Sequence, residues 1–414
     1  MQENLQTFYH ILPNGVKIVH RHTTSPVAYV GVMVGVGTRD ELPKENGMAH
    51  YIEHCVFKGT THHSAREIIR HIEGIGGEIN AYTTKEETTF YAATMVEHVA
   101  STLRLISELV TCPTFPKAET DKELAVIYDE IESYNDSPSE LIYDDFEALV
   151  FEGQPLAMPI LGTKKSLRAI SRHAETPINW MRTHYTPARM VVFCQGDVKP
   201  DKIFRLAEKE FGHLTPNNTN HTDRAASTTT TGSATLSFHK HTHQAHVMLG
   251  NTAYPLGHDR QLALYLINNI LGGGSLNSRL NISLREKRGL VYTVDSIYTP
   301  LSDTGYWCTY FACDREDIEQ CESLVKHELD KLATTPLSDA ALRNALQQLR
   351  GQMAVAAQNQ ESTALSMAKS MLYFNSAPTW QQTFQKIAQT DPKTLLEISQ
   401  QIFTANTLRT LRYE

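Results

Sequence analysis

The segment Gly47-Met-Ala-His50-Tyr-Ile-Glu53-His54-Cys-Val-Phe57-Lys-Gly-Thr60 sets two histidines and a glutamate at the spacing His-x-x-Glu-His. On a helix, residues four apart lie one above the other, so both imidazoles can face one tetrahedral ion while Glu53 points toward the same side. A zinc ion held by three protein groups keeps one position for water and lowers the pKa of that water toward about 7. A neighbouring carboxylate can then take the proton as the water attacks a carbonyl, and Glu53 has the position of such a general base. The bland alternative is a surface helix bearing two solvated histidines, in a chain with 19 histidines among 414 residues.

A third ligand must come from elsewhere in the chain. The stretch Asp121-Lys-Glu123-Leu-Ala-Val-Ile-Tyr-Asp-Glu130-Ile-Glu132 predicts a helix on which Glu123 and Glu130, two turns apart, share one face. One of the two can bind metal while the other supports it. Without the histidines the same face reads as solvated acidic surface.

The elements that would hold these groups show through hydrophobic periodicity. An alternating stretch at Thr88-Thr-Phe-Tyr-Ala-Ala-Thr predicts a strand, and Val99, Leu103, Ile106 and Val110 predict a helix closed by Cys112-Pro113. The second half repeats the outline. Tyr306-Trp-Cys-Thr-Tyr-Phe-Ala-Cys predicts a strand, and Ile318, Cys321, Val325, Leu329 and Leu332 a helix closed by Thr335-Pro336. A duplicated α+β unit follows, with hairpin strands covered by amphipathic helices. Between Leu214 and Ala234 the sequence turns polar and low in complexity, which predicts a linker over 215–234 between domains 1–214 and 235–414.

Composition excludes several classes. The chain is 41% hydrophobic and 20% charged, with no apolar run near the roughly 20 residues a membrane helix needs. A formal net charge of −8, without a concentrated Lys/Arg face, argues against nucleic-acid binding. The six cysteines are dispersed and form no Cys-x-x-Cys pair, so reduced thiols are expected. The N-terminus has neither the basic start and apolar core of a secretory signal nor the Arg-rich character of an organelle presequence; taken as the true start, it predicts a cytoplasmic protein. His239-x-His241-x-His243 would put three imidazoles on one side of a strand, but no carboxylate or cysteine accompanies them and a half-exposed strand accounts for the pattern.

The block from Gly47 to Thr60, the carboxylate helix ending at Glu130 and the segment Gly76-Gly-Glu-Ile-Asn80-Ala81-Tyr82-Thr83 together resemble the inverted-motif zinc peptidases, the family of pitrilysin, insulin-degrading enzyme and mitochondrial processing peptidase. The match is spread over nearly the whole chain. The resemblance implies that Glu130 is the third zinc ligand beside His50 and His54, with one Zn2+ per chain, and that Glu123 supports the site. It also implies that the strand at Asn80 and Ala81 receives the substrate. Phe57 either lines a substrate pocket or belongs to the core. In the second half, Leu271-Gly-Gly-Gly-Ser-Leu-Asn-Ser-Arg279 followed by Arg285-Glu-Lys-Arg-Gly-Leu-Val-Tyr292 resembles the family's glycine-rich loop and Arg/Tyr pair. An arginine and a phenol so placed could clamp a peptide carbonyl and stabilise developing negative charge. From the residues alone, the glycine run reads as a flexible turn.

By this resemblance each of two homologous domains carries an antiparallel sheet with helices on one side, and unfolded peptides are cleaved inside a closed chamber. Shorter members of the family form dimers, so a homodimer is expected, with neither nucleic acid nor membrane as partner. Two other readings stay open: a non-catalytic scaffold of the processing-peptidase type, and a zinc hydrolase acting on a non-peptide amide.

Overall fold

The computed structural model describes residues 6–216, 232–240 and 242–414. Most of the expected linker, and His241 of the histidine triplet, lie outside the described residues. The chain forms two compact units. One comprises residues 1–132, 158–222 and 356–378, the other 133–157, 223–355 and 379–414. Against the expected halves, 1–214 and 235–414, the units trade two segments.

The first unit is built on six strands: β1 (Thr7–Ile11), β2 (Lys17–His22), β3 (Val27–Val34), β4 (Glu78–Thr83), β5 (Thr88–Met95) and β6 (Met190–Gly196). They line up as β1-β2-β6-β3-β5-β4, all neighbours antiparallel except the parallel pair β2/β6. β4 therefore pairs on one side only and is an edge. One face of the sheet meets α1 (Met48–Cys55), α2 (Ala65–Glu73) and α3 (Val99–Thr111) across a core that includes Val30, Val32, Ile52, Ile68, Phe90 and Leu103.

The other face is not left bare. Val19, Met33, Tyr91, Val191 and Phe193 pack against Ala364, Met367, Ala368 and Met371 of the helix Gln360–Phe374. That helix comes from the far end of the sequence. Burying each methionine is worth on the order of 1.5–3 kcal/mol, enough to hold a helix no local contact requires. It also grips the turn between β4 and β5: Lys369 Nζ donates to Glu87 Oε1 at 2.5 Å, while Arg39 Nη1 donates to the neighbouring Glu86 Oε1 at 2.6 Å. Both carboxylates are buried.

The second unit repeats the plan with β7 (Ala234–Phe238), β8 (Ala245–Thr252), β9 (Val291–Pro300), β10 (Gly305–Cys313) and β11 (Arg409–Tyr413). Their order is β7-β11-β8-β10-β9, with β7/β11 the parallel pair. This is the order β2-β6-β3-β5-β4 of the first sheet. Its second face, including Met248, Tyr306, Cys308 and Tyr413, is covered by Ile142, Phe146, Leu149 and Val150 of the helix Pro138–Val150. Each half of the sequence thus lends one helix to the other half's sheet. The architecture is the α+β, two-domain arrangement expected, with one parallel pair per sheet and a lent helix on the second face. All six cysteines are free thiols. Among the described residues no helix is long and apolar enough to cross a membrane.

Candidate metal centre

α1 has eight residues, about two turns, which is too short to persist by itself in water. It is held by burial of Met48, Ala49, Tyr51, Ile52 and Cys55 and packs against the edge strand β4. Gly47 precedes it at φ +89°, where a Cβ would stand 2.9 Å from Gly162 Cα, so only glycine fits this close chain crossing. The remaining side of α1 presents His50, Glu53 and His54. The two imidazoles meet edge-on with centroids 4.5 Å apart.

Opposite them runs α4 (Lys117–Asn135), bearing Glu123 and Glu130. Glu130 Oε2 lies 3.6 Å from His50 Nε2 and 3.4 Å from His54 Nε2. Ligand atoms of all three residues fall within 4.8 Å of one another, and among the described residues no other cluster of three His, Cys, Asp or Glu does so. With zinc bonds of 2.0–2.1 Å, neighbouring ligands of a tetrahedron stand about 3.3 Å apart, so the cradle has close to the required size.

Glu123 fixes the chemistry of this cradle. Its Oε1 lies 2.9 Å from His54 Nδ1, and its Oε2 2.5 Å from Lys58 Nζ. A carboxylate only accepts, so His54 Nδ1 carries a proton toward Glu123, and once the second ring proton is lost the Nε2 lone pair is the one available to a metal. Burial holds the His50 pKa down to about 4, reinforced by His54, so this imidazole is neutral. Burial works the same way on His54, but Glu130 and Glu123 outweigh it and hold its pKa above the ordinary histidine value. His54 in turn holds Glu130 below the usual carboxylate range. Two imidazoles and three carboxylates, Glu53, Glu123 and Glu130, gather beside a single ammonium, that of Lys58. The donor set fits a divalent cation: zinc would take Nε2 of each histidine and a Glu130 oxygen.

Glu53 is on the same helix as the histidines, and burial pushes its carboxyl up from the ordinary glutamate value. Asn80 is exposed on β4, and Ala81 next to it packs against the first core. Phe57 is half-buried against the same core, its ring 6.4 Å from that of Phe90. Arg285 and Tyr292 belong to the other compact unit, where the guanidinium lies over the phenol ring at 5.4 Å and Tyr292 is 79% exposed. Just past the glycine run, Gln352 Nε2 donates to Ser275 Oγ at 2.6 Å, and Asn277 and Gln348 exchange amide hydrogen bonds at 2.9 and 3.2 Å.

Sequence reasoning missed two supporting groups. Lys58 stands one turn beyond His54, a spacing that could have flagged it. Glu41 accepts from the first turn of α1, and nothing periodic marks it.

Residues 17–164 match the family model described as insulinase, peptidase family M16, and residues 176–349 match that described as peptidase M16 inactive domain. An uncharacterized zinc protease of Bacillus subtilis, YmxG, is 31% identical over 94% of this chain and 94% of its own length. This chain belongs to the insulinase family of peptidases, M16. A second member, an uncharacterized zinc protease of Streptomyces coelicolor, is 30% identical over 94% of this chain and 86% of its own length. Two solved structures share the M16-type fold. A protease from Helicobacter pylori superposes with a TM-score of 0.90 at 22% identity, covering 99% of this chain and all of that one. A peptidase M16 inactive domain from Pseudomonas fluorescens gives 0.86 at 18% identity, covering 99% and 98%. In this M16 chain the three candidate ligands and Glu53 fall in the first matched segment, and Arg285 and Tyr292 in the second.

Proposed function

We propose that this M16 chain is a zinc endopeptidase acting on unfolded peptides, with one metal per chain. The observation that carries the reading is the convergence of His50 Nε2, His54 Nε2 and Glu130 Oε2 beside an unpaired strand edge. Bound there, zinc would supply a Lewis acid and a water whose pKa is near about 7. Glu53 takes a proton from the water as that water's oxygen bonds to the carbonyl carbon and passes it to the amine as the C–N bond breaks; a carboxyl whose pKa burial has raised is suited to hold a proton in transit. Glu123 and Lys58 keep His54 in the tautomer with Nε2 free.

The peptide adds to the free edge of β4 near Asn80 and Ala81. Backbone hydrogen bonds there give affinity with little regard for sequence. Strand addition needs an extended chain, so native globular proteins are poor substrates. In a homodimer with active sites in trans, Arg285 and Tyr292 of a second copy of the chain would clamp the substrate and donate to the carbonyl oxygen as charge develops on it. One zinc set and one Arg/Tyr pair per chain suit a homodimer; a fully active monomer by light scattering would oppose that part of the reading.

A non-catalytic scaffold is the competing reading, favoured by the match of residues 176–349 to a domain described as inactive. Against it stands the complete set of His50, Glu53, His54 and Glu130. Glu53→Gln separates the two. The variant should retain zinc and lose about 10²–10⁴-fold in turnover of an unstructured peptide, the range for loss of a general base. Unchanged turnover in the variant would remove Glu53 from the mechanism, and zinc-loaded wild type that cleaves no peptide would favour the scaffold.

A further inference from the structure

We infer that Glu41 is a positioning residue for the metal: a buried carboxylate, outside α1 in sequence, that seats the helix carrying both histidine ligands. The inference rests on the zinc reading above. Glu41 is 3% exposed. Gly47 N–H donates to its Oε2 at 2.8 Å, Ala49 N–H to its Oε1 at 2.8 Å, and Asn46 Nδ2 to its Oε2 at 3.2 Å. Asn46 also donates to the carbonyl of Pro159 at 2.9 Å, which ties the cap to a distant loop.

The arrangement answers a specific need. The first amides of a helix have no partners within it, and Gly47 at the N-cap offers no side chain to accept from them. A helix of two turns depends on every such bond. Glu41 supplies acceptors to the residues immediately before and at the start of α1; burial pushes its carboxyl up to about 8, while the amides of Ala49 and Gly47 and the Asn46 side chain pull it the other way. Ala49 is adjacent to His50, so a shift of its amide moves the first ligand directly. All three partners are donors. A glutamine in this place keeps the shape but turns an amide NH2 toward at least one of them, whichever way it is rotated.

The test is zinc affinity of the full chain, measured by competition with a chromophoric chelator, together with the visible absorption of the cobalt-substituted protein. Glu41→Gln should weaken zinc binding about 10- to 100-fold, the range for losing support behind a ligand. The cobalt bands should shift as the ligand geometry changes. At saturating zinc, kcat should fall while KM for peptide changes less than about twofold, because the substrate edge is untouched. Glu41→Asp, which keeps a carboxyl with two acceptor oxygens, should restore part of the affinity. Wild-type affinity and cobalt spectrum in Glu41→Gln, even with a lowered melting temperature, would overturn the inference. Should Glu41→Gln fail to fold, Asn46→Ala removes one of the three donors and leaves the carboxyl in place; it should show the same change on a smaller scale, and no change in either readout would overturn the inference. Wild type that binds no zinc would be a separate result, the failure of the proposed function itself.

Discussion

The two sheets of this molecule have the same strand order, and the same succession of elements surrounds each. In the first unit β3 leads to α1, then the hairpin β4/β5, α3 and the long helix α4. In the second, β8 leads to the helix Gln261–Gly272, then the hairpin β9/β10, the helix Ile318–Thr334 and the long helix Asp339–Ala356. At the first pair of helices, imidazoles face carboxylates. At the second, amides face amides: Asn269 Nδ2 donates to Gln352 Oε1 at 2.9 Å, next to the Asn277/Gln348 pair. An amide is donor and acceptor at once, so such a pair satisfies itself without charge. Two imidazoles and a carboxylate satisfy one another only through an added positive charge, either a proton on His54 or a cation between the three. One scaffold therefore carries a junction of paired amides and another whose imidazoles and carboxylate suit a metal.

The sharpest way to break this comparison is to substitute each junction in turn. His50→Ala or Glu130→Ala should abolish zinc retention after dialysis and peptide hydrolysis with it, whereas Gln352→Ala should leave zinc content unchanged; metal analysis reads both. The next effect is expected from Tyr292→Phe. Loss of one donor to a charged transition state costs about 10²-fold in turnover, with zinc content as in wild type.

A smaller effect concerns pH. At about pH 5 to 6, His50 is already neutral, Glu130 is ionised, and His54, whose pKa is raised, still holds an extra proton. Zinc must displace that one proton, so affinity declines as pH falls through the His54 pKa, by about tenfold per unit. A chelator-competition series with a slope of two, or none, would contradict this assignment. The smallest effect belongs to the amide junction: Gln348→Ala should lower stability by about 0.5–1 kcal/mol in urea unfolding, with zinc affinity as in wild type.

The chemistry of the centre was more legible in the sequence than its support. His50, Glu53 and His54 announce themselves because their spacing has few other uses, and the seven-residue interval of Glu123 and Glu130 places both on one helical face. The strand at 88–95 and the helix at 99–111 follow from local periodicity. The lent helices do not. Ala364, Met367, Ala368 and Met371 mark an apolar helical stripe, but nothing in that stripe says which sheet it covers. A sign was present on the sheet side, since β3 and β6 are apolar on both faces, as strands buried on both sides must be. Glu41 was illegible for a different reason. A carboxylate in a loop normally points to water, and only the folded chain reveals three donors converging on it.

The central claim is that His50, His54 and Glu130 bind one ion together. Anomalous diffraction at the zinc edge, from crystals of the stripped and zinc-reloaded protein, tests it directly. The account predicts one peak per chain within bonding distance of His50 Nε2, His54 Nε2 and a Glu130 oxygen. A peak at other side chains, or none, would contradict it.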